Sequence, residues 1–169
     1  MSNPLYDNLF GKYLDARTSF IETSDGEVIT HGSFVAMAAR LANVFKSMGL
    51  KKRDRIAIQV EKSVTALCIY AACVQSGIVF LPLNTGYTAN EIEYFIKDSG
   101  SKLLVCDDEK LSEISLKLQD IEIELLTLNE NETGTIVELA KEQKNIFETV
   151  EAKENDLAAF LYTSRTTGR

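Results

Sequence analysis

The sequence predicts an α/β protein built on a doubly wound, mostly parallel sheet. Short apolar runs alternate with segments whose apolar residues recur at helical spacing, and the runs are apolar enough for a sheet covered on both faces. The intervening segments are long enough for crossovers, which favour parallel strands joined by right-handed connections. At 169 residues the chain is large enough for one domain with a sizeable core.

The first half of the chain begins with a hairpin and continues with helices and strands. The runs "SFIET" and "EVIT" flank "SDG", a β-hairpin signal in which Gly26 adopts a positive φ. Thr30 then caps a predicted helix with apolar positions at helical spacing. Residues 55–60 predict a buried strand, and Ser63 begins a second helix that ends at Gly77.

The next unit repeats this alternation. Residues 78–84 predict a strand, and Thr88 with Glu91 forms a capping box at the start of a helix. Gly100 ends that helix, and residues 102–107 predict the following strand. The chain therefore continues the strand–helix–strand order expected of a parallel sheet.

The pattern weakens in the last third but keeps the same order. Residues 111–118 predict a helix and residues 121–128 a strand. Thr135 and Glu138 predict another capping box, opening a short helix. A charged stretch then reads as a surface connection, and residues 157–163 predict a final buried strand.

Composition excludes several classes of function. The net charge is −7 and the pI about 4.8, which argues against nucleic acid and anionic membranes as partners. The N-terminus lacks the basic and apolar regions of a signal peptide, and the apolar stretch at residues 64–74 is too short to span a bilayer. These features predict a cytoplasmic protein.

The cysteines and the single histidine do not predict a site. Cys68, Cys73 and Cys106 lack metal-ligand spacing, and we interpret them as small buried hydrophobes. His31 lies next to a predicted helix start and is interpreted as a surface residue. A histidine-based triad and a histidine-rich metal site have no support in the sequence.

The stretch most suggestive of chemistry is "YTSRTTGR" at the end of the chain. Hydroxyl groups come from Thr163, Ser164, Thr166 and Thr167, and Gly168 allows backbone N–H groups to approach a ligand closely. Successive amides in such a turn form an anion-binding concavity, so the loop is a candidate phosphate site. Taken alone, such a cluster also fits an ordinary turn, and neither a Walker A nor a G-x-G-x-x-G pattern occurs.

"LAAFLYTSRTTGR" resembles the phosphate-binding motif of the adenylate-forming enzymes, the superfamily of acyl-CoA synthetases, luciferases and peptide-synthetase adenylation domains. The usual motif is Tyr-Thr-Ser-Gly-Thr-Thr-Gly followed closely by Lys-Gly. The phrases "EKS", "PLNTGYT" and "EIEYFI" are similar to bacterial malonyl-CoA synthetases in particular. The resemblance runs over nearly the whole chain, from about Leu9 to Arg169. It implies that residues 1–169 are an incomplete N-terminal part of the large domain, without the C-terminal domain.

The resemblance implies a two-step ligase. A carboxylate such as malonate attacks the α-phosphate of ATP, pyrophosphate leaves, and the thiol of CoA then displaces AMP. Thr163, Ser164, Thr166, Thr167 and Gly168 are the positions that match the loop holding the β- and γ-phosphates. Mg²⁺ is expected to accompany the nucleotide. The resemblance identifies no catalytic residue and no metal ligand within the chain.

The chain departs from the family pattern in two ways. Arg165 stands where the motif has glycine, which costs about 1–2 kcal/mol if the position needs a positive φ. A guanidinium can pair with phosphate, but added bulk in a cradle built from backbone favours loss of binding. Family members are also more than twice as long, and the lysine of the motif, the acyl pocket and the CoA-binding region have no counterpart here. We therefore expect the chain alone to be inactive and marginally stable.

Three interpretations remain open from the sequence. The first is an N-terminal piece of a malonyl-CoA synthetase-like ligase, either the remnant of a broken gene or half of a split protein. The second is a non-catalytic module that binds a nucleotide or a partner chain, and the third is a soluble Rossmann-like fragment with no retained function. A coding sequence that continues with the missing motif lysine separates the first interpretation from the others.

Overall fold

The computed structural model describes residues 2–163, whose strands form two sheets. A two-stranded antiparallel hairpin stands apart from a four-stranded parallel sheet of order β4-β3-β5-β6. The strands are β1 (Ser19–Glu22), β2 (Val28–Thr30), β3 (Arg55–Gln59), β4 (Val79–Pro82), β5 (Leu103–Cys106) and β6 (Glu124–Thr127). The helices are α1 (Pro4–Leu9), α2 (His31–Ser47), α3 (Val64–Ser76), α4 (Ala89–Ser99), α5 (Asp108–Lys117) and α6 (Thr135–Lys141), with a 3₁₀ turn at Gly11–Tyr13.

The helices cover both faces of the parallel sheet, which confirms the predicted fold class. Ile56 and Ile58 of β3 join one core cluster with α1, α2, α3 and α6. Ala57, between them, joins a second cluster with α4 and α5 on the other face. This alternation follows from the two-residue period of a strand, and it requires apolar side chains on both faces.

The chain reverses its winding direction at the centre of the sheet. The connection through α3 places β4 on one side of β3, and the connection through α4 returns to place β5 on the other side. The register places Ile56 opposite both Phe80 of β4 and Leu103 of β5. The carboxyl ends of β3 and β5 therefore flank a topological switch point, the place where such sheets usually bind ligands.

The predicted hairpin and three of the predicted helix starts are confirmed. Gly26 has a φ of 88° in the turn between β1 and β2. Thr30 and Ser63 accept hydrogen bonds from the backbone of Ser33 and Ala66 at 3.1 Å each. The capping box at the start of α4 is complete.

The capping box predicted at Thr135 is wrong. The N-cap of α6 is Gly134, and it has no side-chain cap. The hydroxyl of Thr135 instead accepts a hydrogen bond from the backbone of Thr127 at 2.8 Å, while Glu138 pairs with Lys141. The prediction failed because β6 lies beside the start of α6, and its backbone competes for the threonine hydroxyl.

The final buried strand predicted at residues 157–163 is also wrong. A single parallel bridge joins Ala159 to Phe80, outside the named strands. Leu157 and Leu161 are 60% and 69% exposed. The edge segment, residues 156–162, lies along β4 at the edge of the sheet. Leu157 and Leu161 therefore face solvent, whereas Phe160 and Tyr162 pack against the core.

The charged stretch between α6 and the edge segment is a strap bound by side chains of the helices. Without regular structure of its own, it presents carbonyl groups that need donors. Asn43 donates to the carbonyl groups of Lys144 and Ile146 at 2.9 and 3.0 Å, and Asn3 donates to Val150 at 3.1 Å. The stretch is therefore a surface connection, as predicted, but it is attached closely to the helical layer.

The cysteines and the histidine lie as expected. All three cysteines are buried and free, and burial raises the pKa of each thiol, that of Cys106 to about 11. His31 is partly exposed at the start of α2, stacks on Tyr13 at 4.6 Å, and its Nδ1 hydrogen-bonds with the Thr18 hydroxyl at 3.0 Å. Between residues 2 and 163, no helix is long and apolar enough to cross a membrane.

Candidate phosphate-loop site

The edge segment delivers the end of the described chain to the carboxyl edge of the sheet. The backbone of Phe80 donates to Ala158 at 2.9 Å, and Phe160 donates back to Phe80 at 3.2 Å. These bonds make the segment parallel to β4. Residues beyond Phe160 therefore leave the sheet at the edge where parallel α/β proteins bind ligands.

Thr163 is the one residue of the predicted phosphate loop that lies within the described part of the chain. It is exposed and follows directly after the edge segment. The other predicted loop residues, Ser164, Thr166, Thr167 and Gly168, lie outside the described residues, as does Arg165. The structure thus locates the start of the candidate loop.

Tyr162, immediately before the loop, packs into an aromatic cluster on α4. Its ring lies 4.4 Å from Phe95 and 5.8 Å from Phe160, measured between ring centroids. Phe95 also contacts Tyr87 at 4.9 Å and Tyr94 at 5.5 Å. Aromatic pairs at these distances contribute about 0.5–1.5 kcal/mol beyond the area they bury. The start of the loop therefore rests on an aromatic surface.

A hydrogen bond joins the same tyrosine to an acidic residue of α4. The hydroxyl of Tyr162 donates to Asp98 Oδ2 at 2.5 Å. Partial burial, followed by this bond and the charge of Asp98, raises the pKa of Tyr162 well above its usual range. The sequence analysis did not find this pair, because 64 residues separate its members and neither has a distinctive local pattern.

The other end of the edge segment is held by ionic contacts. Asp156 Oδ2 lies 2.6 Å from Lys52 Nζ, and its Oδ1 lies 3.3 Å from Arg53 Nη2. The backbone N–H of Lys153 also donates to Asp156 at 3.0 Å. The bond from Lys52, then the other two, lower the pKa of Asp156 far below its usual range. The side chain of Asp156 is therefore ionised in the folded protein at neutral pH.

The switch point between β3 and β5 is covered by the loop that follows β4. Gln59, at the end of β3, donates through Nε2 to the carbonyl groups of Asn84 and Tyr87 at 3.1 and 2.9 Å. Lys110, in the first half of α5, donates to the carbonyl of Thr85. These contacts draw the loop over the carboxyl ends of β3 and β5, so a ligand must bind beside it.

The helix N-termini at this edge already hold side-chain oxygens of the protein. Glu132 accepts hydrogen bonds from the first N–H groups of α3, at 2.7 Å from Val64 and 3.2 Å from Thr65. Asp107 caps the start of α5, and the capping box at Thr88 caps the start of α4. Side-chain oxygens therefore occupy N–H groups at the start of α3, α4 and α5, where a phosphate could otherwise bind.

The described edge carries several carboxylates together with Lys62 and Lys110. Acidic residues follow β5 and β6 at this edge: Asp107, Asp108, Glu109, Glu130 and Glu132. Across residues 2–163, no group of three or more histidine, cysteine or acidic residues could hold a metal ion.

The chain is similar to known nucleotide-dependent ligases over its whole length. Residues 12–169 match the family model of the AMP-binding enzyme. The ATP-bound structure of MatB from Rhodopseudomonas palustris is 42% identical with a TM-score of 0.94, over 100% of this chain and 34% of that one. The anthranilate CoA ligase AuaEII has a TM-score of 0.84 at 18% identity, covering 99% of this chain and 34% of that one, and shows the fold alone.

Curated relatives show the same partial coverage. Oxalate–CoA ligase of Arabidopsis thaliana is 28% identical over 98% of this chain and 33% of its own length. Surfactin synthase subunit 2 of Bacillus subtilis is 30% identical over 87% of this chain and 4% of its own length. The chain thus spans at most about a third of these relatives. Since the family model matches 12–169, the chain belongs to the AMP-binding enzyme family.

Proposed function

We propose that the chain is the ATP-phosphate-binding part of an acid–CoA ligase of the malonyl-CoA synthetase type. The observation that supports this proposal is the direction of the edge segment, which runs parallel to β4 and brings Thr163, the first residue of the candidate loop, to the carboxyl edge of the sheet. The 42% identity to MatB, a protein described with ATP bound, supports the nucleotide. The phrases shared with malonyl-CoA synthetases support malonate as the acid.

In the proposed reaction the chain contributes binding and orientation. A malonate oxygen attacks the α-phosphorus of ATP while the bond to pyrophosphate breaks, and the CoA thiol then displaces AMP and gives malonyl-CoA. The hydroxyl and backbone N–H groups of residues 163–168 would hold the β- and γ-phosphates, so that the leaving pyrophosphate is stabilised as its charge develops. Mg²⁺ and CoA would bind to residues beyond those described. We place the protein in the cytoplasm.

A second proposal is a module that binds a partner chain without catalysis. Its support is the edge segment, where Leu157 and Leu161 expose apolar side chains along a strand-like backbone. Such an edge is suited to pairing with another segment, which a complementary C-terminal fragment could supply. If adding such a fragment restored ligase activity, both proposals would be supported. If the fragment paired with the chain without any need for nucleotide and without activity, only the second proposal would be supported.

The first test uses the chain by itself. We expect no ATP–pyrophosphate exchange above background with malonate and Mg²⁺, because the chain spans only about a third of the ligases it matches. Exchange above background would contradict that expectation. Calorimetry with Mg·ATP measures binding separately from catalysis, with Thr167→Ala as the loop variant and Ser112→Ala, an exposed hydroxyl of α5, as the control.

The second test addresses Arg165. The chain is fused to the remaining two-thirds of R. palustris MatB, and Arg165→Gly is compared with the unaltered fusion. We expect the glycine variant to bind ATP more tightly and to form malonyl-adenylate, because glycine removes a side chain from the phosphate cradle. Equal ATP affinity for both proteins would contradict the role assigned to position 165.

A further inference from the structure

The edge segment is attached to the sheet by few backbone hydrogen bonds, although it determines where Thr163 lies. Two backbone hydrogen bonds with Phe80 attach it to β4. The seven residues from Asp156 to Tyr162 span about 20 Å between their ends when extended. A segment of this length attached at one central point is free to pivot at both ends, so its direction must be set by other contacts.

The first of these contacts is the ionic anchor at Asp156. Lys52, which pairs with its carboxylate, also donates to the carbonyl of Glu151 at 2.8 Å. Arg53, the other partner, donates through its backbone to the carbonyl of Gly77 at 2.8 Å. Both cations belong to the turn that leads into β3, so the anchor ties the segment to the amino end of the central strand.

The second contact is the anchor at Tyr162. Its ring lies on Phe95, which is 3% exposed and belongs to the core beneath α4. Its hydroxyl is bound to Asp98, one turn further along the same helix. The ring contact sets the distance of the segment from α4, and the directional hydrogen bond sets its rotation and its position along the helix axis.

We propose that Asp156 and Asp98 are positioning residues, which act through Lys52 and Tyr162 to set the point and direction at which the chain leaves the sheet at Thr163. The inference rests on the proposed function, since it assumes that residues 163–168 bind phosphate. A phosphate cradle made of short-range hydrogen bonds loses binding when its first residue moves by about an ångström. Two anchors outside the loop supply the rigidity that the single bridge lacks.

The test measures amide hydrogen exchange of residues 158–163 in the 169-residue chain, by mass spectrometry. We expect Asp98→Ala and Asp156→Ala each to speed exchange in this segment about fivefold or more, consistent with the loss of one hydrogen bond or ion pair. Asp98→Asn should retain near-normal exchange, because its amide oxygen still accepts from Tyr162. Tyr94→Phe, which removes a half-exposed hydroxyl from the same aromatic cluster, is the matched control.

The outcomes separate the anchors from the proposed function. Unchanged exchange in both alanine variants would overturn the inference, and so would an equal rise in the strands β3 and β5, which would indicate a general loss of stability. Faster exchange confined to residues 158–163 in the alanine variants, with near-normal exchange in Asp98→Asn, supports the inference. Mg·ATP calorimetry on the same proteins judges the function: absence of binding by the unaltered chain counts against the phosphate loop, while the exchange data still decide the anchors.

Discussion

Gln59→Glu is the substitution for which the structure gives the sharpest prediction. The side chain of Gln59 is 1% exposed, and its Nε2 donates to two carbonyl groups of the loop after β4. Glutamate has nearly the same shape but replaces the donating nitrogen with an oxygen. An ionised carboxylate would therefore face two carbonyl oxygens without water, at the carboxyl edge of the central strand.

The magnitude follows from these contacts. Loss of the two hydrogen bonds alone costs about 2 kcal/mol, the value expected for Gln59→Leu. Burial can raise the pKa of a carboxyl group by about 3 from its unfolded value near 4.3. The pKa of the carboxyl group is higher in the folded than in the unfolded protein. The neutral carboxyl group is therefore tolerated below the unfolded-state pKa, and stability is lost as the pH rises towards and through the folded-state pKa. The ionisation penalty is then about 2 kcal/mol at pH 5.5 and about 4 kcal/mol at pH 8.

The assay is urea denaturation followed by circular dichroism at both pH values, with the unaltered protein measured beside each variant. We expect the deficit of Gln59→Glu to grow with pH and that of Gln59→Leu to stay constant. If Gln59→Glu is unfolded at pH 8, its deficit at pH 5.5 and the constant deficit of Gln59→Leu still check the argument. A Gln59→Glu deficit that does not change between the two pH values would refute the assigned contacts.

Three further predictions concern Gly134 at the start of α6, the ionic anchor at Asp156 and the cysteine thiols. Gly134→Ala should destabilise by more than about 3 kcal/mol in urea denaturation, because its Cβ would meet the Thr127 carbonyl oxygen, whereas Gly26→Ala, with open space around it, should cost about 1 kcal/mol. Asp156→Asn should lower the melting temperature at pH 7 and lose part of that effect at pH 3, because a lowered pKa adds stability above the unfolded value near 3.9 that is lost as pH falls. The three buried cysteines should resist an aromatic disulfide reagent at pH 8 in the native protein and react fully in urea, and a fast native reaction would contradict their burial.

The sequence was sufficient to predict most of the fold, because the signals were local. Each predicted strand from β1 to β6 and each helix from α2 to α6 is present, and the caps at Thr30, Ser63 and Thr88 form as predicted. Helical and strand periodicities and hydroxyl caps act over a few residues, so their pattern survives in a single sequence. The helix α1 was missed, although Asn3 followed by Pro4 is a helix-start signal.

The errors fall where partners distant in sequence compete. Thr135 bonds to β6 and not to its own helix, and the apolar run at residues 157–163 lies at an edge and not inside the sheet. Neither contact leaves a mark in the local pattern of residues, so the sequence could not predict either of them. The strand order of the sheet decides both outcomes. It determines which backbone lies beside Thr135, and it determines whether residues 157–163 have a neighbouring strand on one side or on both.

The sequence by itself determined the alternation of elements, the caps at Thr30, Ser63 and Thr88, and the candidate phosphate-loop motif with its arginine. The tertiary structure decided where that motif begins and what holds it there. Asp156 and Lys52 meet across 104 positions of the chain, and Asp98 meets Tyr162 across 64. Such pairs arise only when the parallel order of the sheet brings the turn before β3, the helix α4 and the edge segment together, because their contacts are set by packing and not by spacing along the chain.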